Sequence, residues 1–173
     1  MNIGQFTRIF LLFALILVAS VLVVELSVTR SIHETAVHSL RDSLEAQAEL
    51  ISRSVPFEAA AELDGLAAEL KETTHARVTI IAPNGRVLGD SDHASRTMDN
   101  HRGRLEIQQA DLAGSGMAVR TSDTLKVDQL YVARKIVRAG RTLGFVRLSV
   151  ALTDVEVLVR RMRLHIAGAI LVV

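Results

Sequence analysis

The sequence predicts an α+β fold: an antiparallel sheet of about five strands with a long N-terminal helix, flanked by two transmembrane helices, the second cut short. Three observations predict it. Residues 9–26 form an almost unbroken apolar run between Arg8 and Arg30. From Arg77 onward the apolar residues fall into short extended runs separated by glycine-bearing turns. After Arg160, Arg161 and Arg163 the sequence turns apolar again and stays so to Val173.

A helix rises about 1.5 Å per residue, so roughly 20 residues cross the ~30 Å hydrocarbon layer, and residues 9–28 have that length. Glu25 lies near the end of the run, where its carboxylate reaches the interface at a cost well below the ~3 kcal/mol of a mid-bilayer charge. The run exceeds the core of a cleavable signal, and no small-x-small cleavage site follows it. The organisation expected is a cytoplasmic N-terminus at 1–8, membrane helix 9–28, an extracytoplasmic domain at 29–163 and the start of a second membrane helix at 164–173. Ten apolar residues cover about 15 Å, half a bilayer, so that second helix is expected to be truncated. Loop charge does not decide the orientation, because the far flank of the second helix is not in the sequence.

The 49% hydrophobic content is inflated by these two ends, and the middle has the make-up of an ordinary globular domain of one core. A net charge of +1, no Trp and one Tyr leave neither the electrostatic footprint nor the stacking platform of a nucleic-acid binder. Without cysteine there is no disulfide frame, thiolate zinc site or thiol nucleophile.

Along the middle, Ile32, Val37, Leu40, Leu44, Ala48, Ile51 and Val55 recur three to five apart and predict a helix with one apolar face. Gln47 and Ser54 would occupy seam positions of a coiled coil, so the stripe is expected to pack on its own domain, with a dimer contact second. Pro56 restarts a helix through Leu70. Residues 77–82 and 86–90 read as strands joined at Asn84-Gly85, a pair that tolerates positive φ. A polar loop is expected at 91–104, a short helix at 105–112 and strands at 117–121, 130–137 and 143–150. In the last strand Val146, Leu148 and Val150 alternate with Phe145, Arg147 and Ser149, so at least one face is buried. Thr153 and Glu156 form a capping box that starts a helix leading into the membrane.

No catalytic or metal constellation emerges. His33 and His38 are five apart, about 140° around a helix, and do not share an ion as an i, i+4 pair does. Asp90, Asp92, His93, Asp99, Asn100 and His101 gather ligand atoms in one loop, but the spacing matches no calcium loop. Gly114-Ser115-Gly116 precedes a strand, which argues against a phosphate cradle. The sensing surface expected is Asp90, Asp92, His93, Asn100, His101 and Arg102, on the polar loop after the hairpin.

Segments 77–92 (RVTIIAPNGRVLGDSD), 98–107 (MDNHRGRLEI) and 130–156 (LYVARKIVRAGRTLGFVRLSVALTDVE) resemble the N-terminal sensory part of bacterial two-component sensor histidine kinases, of the phosphate-regulon (PhoR-like) type. The resemblance implies a PAS-like or Cache-like extracytoplasmic domain in the bacterial inner membrane, a homodimer, and a small ligand or envelope protein as signal. It further implies a cytoplasmic kinase using ATP and Mg and passing phosphate to a response regulator. No cofactor is expected in this segment, and no histidine here sits in the family's phospho-acceptor motif. The alternatives are the input module of a chemoreceptor or diguanylate cyclase, and a membrane-anchored interaction protein without an output domain.

Overall fold

A computed structural model describes residues 3–57, 63–121 and 127–152. Thr153, Glu156 and the expected second membrane helix lie outside the described residues. The chain divides into two compact units, one of Met1–Val37 with Asp154–Val173 and one of His38–Thr153.

In the first unit the described structure is the opening part of helix α1 (Ile3–Ser54). Its segment Thr7–Val28, 22 residues, is long and apolar enough to cross a bilayer. Phe10, Phe13, Leu17 and Leu22 are all exposed, a continuous apolar surface that water disfavours and lipid accepts.

In the second unit, the end of α1 buries Leu44, Ala48 and Ile51, with Val55 just beyond it, the helical stripe expected. The helix stops at Ser54, two residues before Pro56, whose ring excludes helical geometry from the residue preceding it. The next described helix is α2 (Asp64–Thr74), closed by His75 in the left-handed region with its N–H on the Lys71 carbonyl. The helix expected to restart at Pro56 falls partly on 58–62, outside the described residues.

Strands β1 (Arg77–Ile81), β2 (Val87–Asp90), β3 (Ser115–Thr121), β4 (Asp128–Arg138) and β5 (Arg141–Ala151) form one antiparallel sheet in the order β2-β1-β5-β4-β3. Helix α3 (Leu105–Ala113) precedes β3, and Ser95–Thr97 forms a single 3-10 turn in the loop after β2. Strand β5 is central, between β1 and β4, and residues 144–149 are buried without alternation. Both faces of the sheet are therefore covered.

Register shows by what. Glu49 of α1 pairs with Arg134, and Arg134 lies opposite Val146, so α1 covers the face of Val146 and Leu148. The other face carries a row across all five strands: Asp90, Thr79, Arg147, Ala133 and Gly116. Helix α3 covers the Gly116 end, where Ile107 and Ala110 pack with Ile81, Ala133 and Phe145. A Cβ at Gly116 would stand 2.1 Å from the Glu106 carbonyl oxygen and 2.7 Å from the Ala110 nitrogen. The Gly-Ser-Gly stretch thus enters the sheet as β3 two residues earlier than the sequence predicts, because close helix packing and not a turn requires its second glycine.

Gly116→Ala should lower stability by about 1–3 kcal/mol in urea unfolding, since α3 must shift outward to admit the methyl group.

Candidate functional site

The Asn84-Gly85 hairpin is the platform on which the site is built. Gly85 has φ +89°, and a Cβ there would stand 2.2 Å from Asn100 Oδ1 and 2.5 Å from the Arg102 nitrogen. That close approach lets the 91–104 loop fold back on the turn: the His101 N–H donates to the Gly85 carbonyl at 2.8 Å and Asn100 Nδ2 to the Asn84 carbonyl at 3.0 Å. At its other end Asp90 organises the loop, accepting the backbone N–H groups of Asp92 and His93. The loop stands over the sheet beside α3 and borders an open pocket of about 300 Å³.

Arg147, on central strand β5, lies at the base of this pocket, its side chain 3% exposed. Nη1 donates to Glu106 Oε1 at 3.3 Å and Nη2 to Thr79 Oγ1 at 3.1 Å, while Nε is buried with no hydrogen-bond partner. Glu106, in the first turn of α3 and fully buried, places the same Oε1 3.6 Å from Arg120, and its Oε2 has no partner. Tyr131 lies under both guanidinium groups, 4.0 Å from Arg120 and 5.2 Å from Arg147. Arg77 and Arg104 add two more guanidinium groups to the lining. Arg77 is held by Asp90, which also accepts from Thr79 Oγ1 at 2.8 Å.

Electrostatics follow from this crowding. Burial pulls the Arg147 guanidinium down to about 10, against the raising effect of Glu106 and with the neighbouring Arg77 and Arg120 adding to the fall; it stays protonated at neutral pH. His101, 4% exposed, is lowered from 6.5 to about 4, first by burial and then by the charges of Arg147 and Arg104. A hydrogen bond with the Asp99 backbone and the Glu106 charge work the other way. The imidazole is thus neutral at pH 7, and its buried Nδ1 has no hydrogen-bond partner.

Of the six sensing residues expected from sequence, His93 and His101 line the pocket. Asp90 braces its wall through Arg77. Asp92 accepts from Lys71 and Ser91; burial acts to raise its carboxyl, and Lys71, Ser91 and Arg77 together hold it low. Asn100 ties down the hairpin turn, and Arg102 bridges Asp111 and the Pro83 carbonyl. The residues that sequence reasoning missed are Arg77, Arg104, Glu106, Arg120, Tyr131 and Arg147. Their one sequence signal is Arg147 itself, a charge between the apolar residues of the final strand. Among the described residues, no three His, Asp or Glu side chains converge as a metal site requires.

No family model matches the chain, and no curated protein matches it. Solved structures do. The ligand-binding domain of the Campylobacter jejuni chemoreceptor Tlp3, in complex with L-norvaline, matches with TM-score 0.58 at 17% identity over 78% of this chain and 59% of that one. The E. coli DcuS sensor domain matches with TM-score 0.55 at 12% identity over 69% of this chain and 93% of the other. The sensor domain of the V. cholerae histidine kinase DctB matches with TM-score 0.53 at 15% identity, over 76% and 55%. The fold is Cache-like. The chain spans just under three fifths of the Tlp3 domain, 57% in its complex with 4-methylisoleucine.

The depressed His101 pKa has a direct consequence for stability. The unfolded chain takes up a proton as pH falls through 6.5, whereas the folded chain does not until about 4, so stability is complete above 6.5 and is lost toward 4. Between pH 7 and pH 5 this group should remove about 2 kcal/mol of unfolding free energy. Urea titrations at the two values should show a smaller loss for His101→Gln than for the unaltered chain.

Proposed function

We propose that the chain is the membrane-anchored, extracytoplasmic sensory segment of a bacterial sensor histidine kinase, and that it detects a small ligand in the pocket over Arg147. One observation carries the reading: two buried polar atoms without partners, Arg147 Nε and His101 Nδ1, belong to residues lining the same pocket on a Cache-like sheet. Buried donors and acceptors in native proteins are satisfied as a rule, and a bound ligand is one way to satisfy them. The apolar segment Thr7–Val28 supports a membrane anchor, and the likeness to the DctB and DcuS sensor domains supports the sensory role. The phosphate-regulon subtype rests on the sequence resemblance of segments 77–92, 98–107 and 130–156 alone. A chemoreceptor input module is the second reading, favoured by the likeness to the Tlp3 domain.

In the mechanism proposed, ligand binds one arrangement of the pocket more tightly and shifts a two-state equilibrium. Arg147 lies on the strand that leads toward Thr153 and Glu156, where the sequence predicts the start of a helix toward the membrane. A tenfold bias requires about 1.4 kcal/mol of differential binding. Inserting two glycines after Glu156 in the full-length parent should abolish the signal response while leaving ligand binding intact; an unchanged response would refute rigid coupling. The coding sequence beyond Val173 decides between the readings. A histidine-bearing helical hairpin and an ATP-binding domain are expected, a methyl-accepting helical bundle would favour the chemoreceptor, and a stop codon would contradict both.

A further inference from the structure

We infer that this pocket takes a small oxyanion bearing two or more negative charges, and that Glu106 is an internal carboxylate competing with it for the same guanidinium groups. The inference rests on the sensory reading of the pocket and adds the ligand's chemistry. Four guanidinium groups line the pocket, from Arg77, Arg104, Arg120 and Arg147, and the buried carboxylates that meet them are those of Asp90 and Glu106. Arg147 is buried and the other three guanidinium groups are half-buried, and the four outnumber these two carboxylates by two. Asp99 joins the lining from an exposed position, where water screens it.

Glu106 holds its partners loosely. Its Oε1 is shared between Arg147 at 3.3 Å and Arg120 at 3.6 Å, both longer than the 2.7–2.9 Å of a strong charge-assisted bond. Its Oε2 and Arg147 Nε have no hydrogen-bond partner. Each guanidinium carries five N–H donors in a planar fork that fits carboxylate and phosphate oxygens two at a time. An oxyanion entering the pocket thus meets spare donors already aimed by the stacking of Arg120 and Arg147 on Tyr131. Neutral His101 adds a hydrogen-bonding nitrogen without charge. An amino acid fits less well, because its ammonium would enter a ring of guanidinium groups whose buried carboxylates are engaged. The volume of about 300 Å³ suits a small molecule.

Isothermal titration calorimetry on the full 173-residue chain in nanodiscs, with succinate, inorganic phosphate and L-valine as probes, tests this. Saturable binding of succinate or phosphate, and none of L-valine, is expected, and which oxyanion binds separates a carboxylate from a phosphate source. Glu106→Gln should tighten that binding about tenfold by removing the competing charge, and Arg104→Gln should weaken it about tenfold. Arg104 is half-exposed and outside the buried pair, so its variant decides the matter should Glu106→Gln unfold. Binding of L-valine without either oxyanion, no binding of any probe, or a folded Glu106→Gln chain with unchanged or weaker affinity would overturn the inference. The sensory reading is decided separately by the sequence downstream, so the two fail independently.

Discussion

A guanidinium in the middle of a central strand, covered on both faces of the sheet, sets the terms for the rest of this domain. An isolated charge there would cost several kcal/mol, so Arg147 needs a buried carboxylate and further acceptors within reach. Glu106 meets the first need from the opening turn of α3, and Thr79 the second from the neighbouring strand. To bring Glu106 there, α3 must lie against β3 at backbone distance, which is why Gly116 has no room for a Cβ. The row from Asp90 to Gly116 therefore links electrostatics to topology: charge pairing at one end, helix packing at the other.

Replacing a buried ion pair by apolar side chains of similar volume is often neutral or stabilising, so stability alone gives little reason for Arg147 and Glu106. Recognition, under the function proposed, gives a better one. The pair is incompletely satisfied, and the unpartnered Arg147 Nε belongs to a residue that lines one pocket with His101, whose buried Nδ1 is unpartnered too. The loop beside the pocket is tied to the start of α2, since Asp64 accepts the N–H groups of both Asp90 and Ser95. A site held this way loses little entropy on binding, and contact with Arg147 bears directly on the central strand.

Much of the fold was legible because its elements obey simple periods. The α1 stripe of Leu44, Ala48 and Ile51, the Asn84-Gly85 turn and the helix ending at Gly114 all follow from local spacing and turn chemistry. The floor of the site was not legible for a related reason. A period of two assigns Val146 and Leu148 to one face and leaves Arg147 for the other, and nothing local says that the other face is also covered. Arg120 and Glu106 likewise carry no local sign of burial: β-sheet register brings the first, and the packing of α3 the second, to Arg147. The polar loop was recognisable as a cluster, and His93 and His101 do line the pocket, but Asp90, Asp92, Asn100 and Arg102 spend their side chains on nearby backbone groups and ion pairs. Residues that shape a loop and residues that face its interior have the same composition in a sequence.

The dependence of the domain on the Arg147–Glu106 pair is tested most directly by a double-mutant cycle of Arg147→Met and Glu106→Gln, read by urea unfolding. Each single change should cost about 3–5 kcal/mol by leaving one partner buried and uncompensated, and the double change should recover about 2 kcal/mol or more of their sum. Additivity of the two single effects within about 0.5 kcal/mol would show that the groups do not depend on each other and would contradict the account.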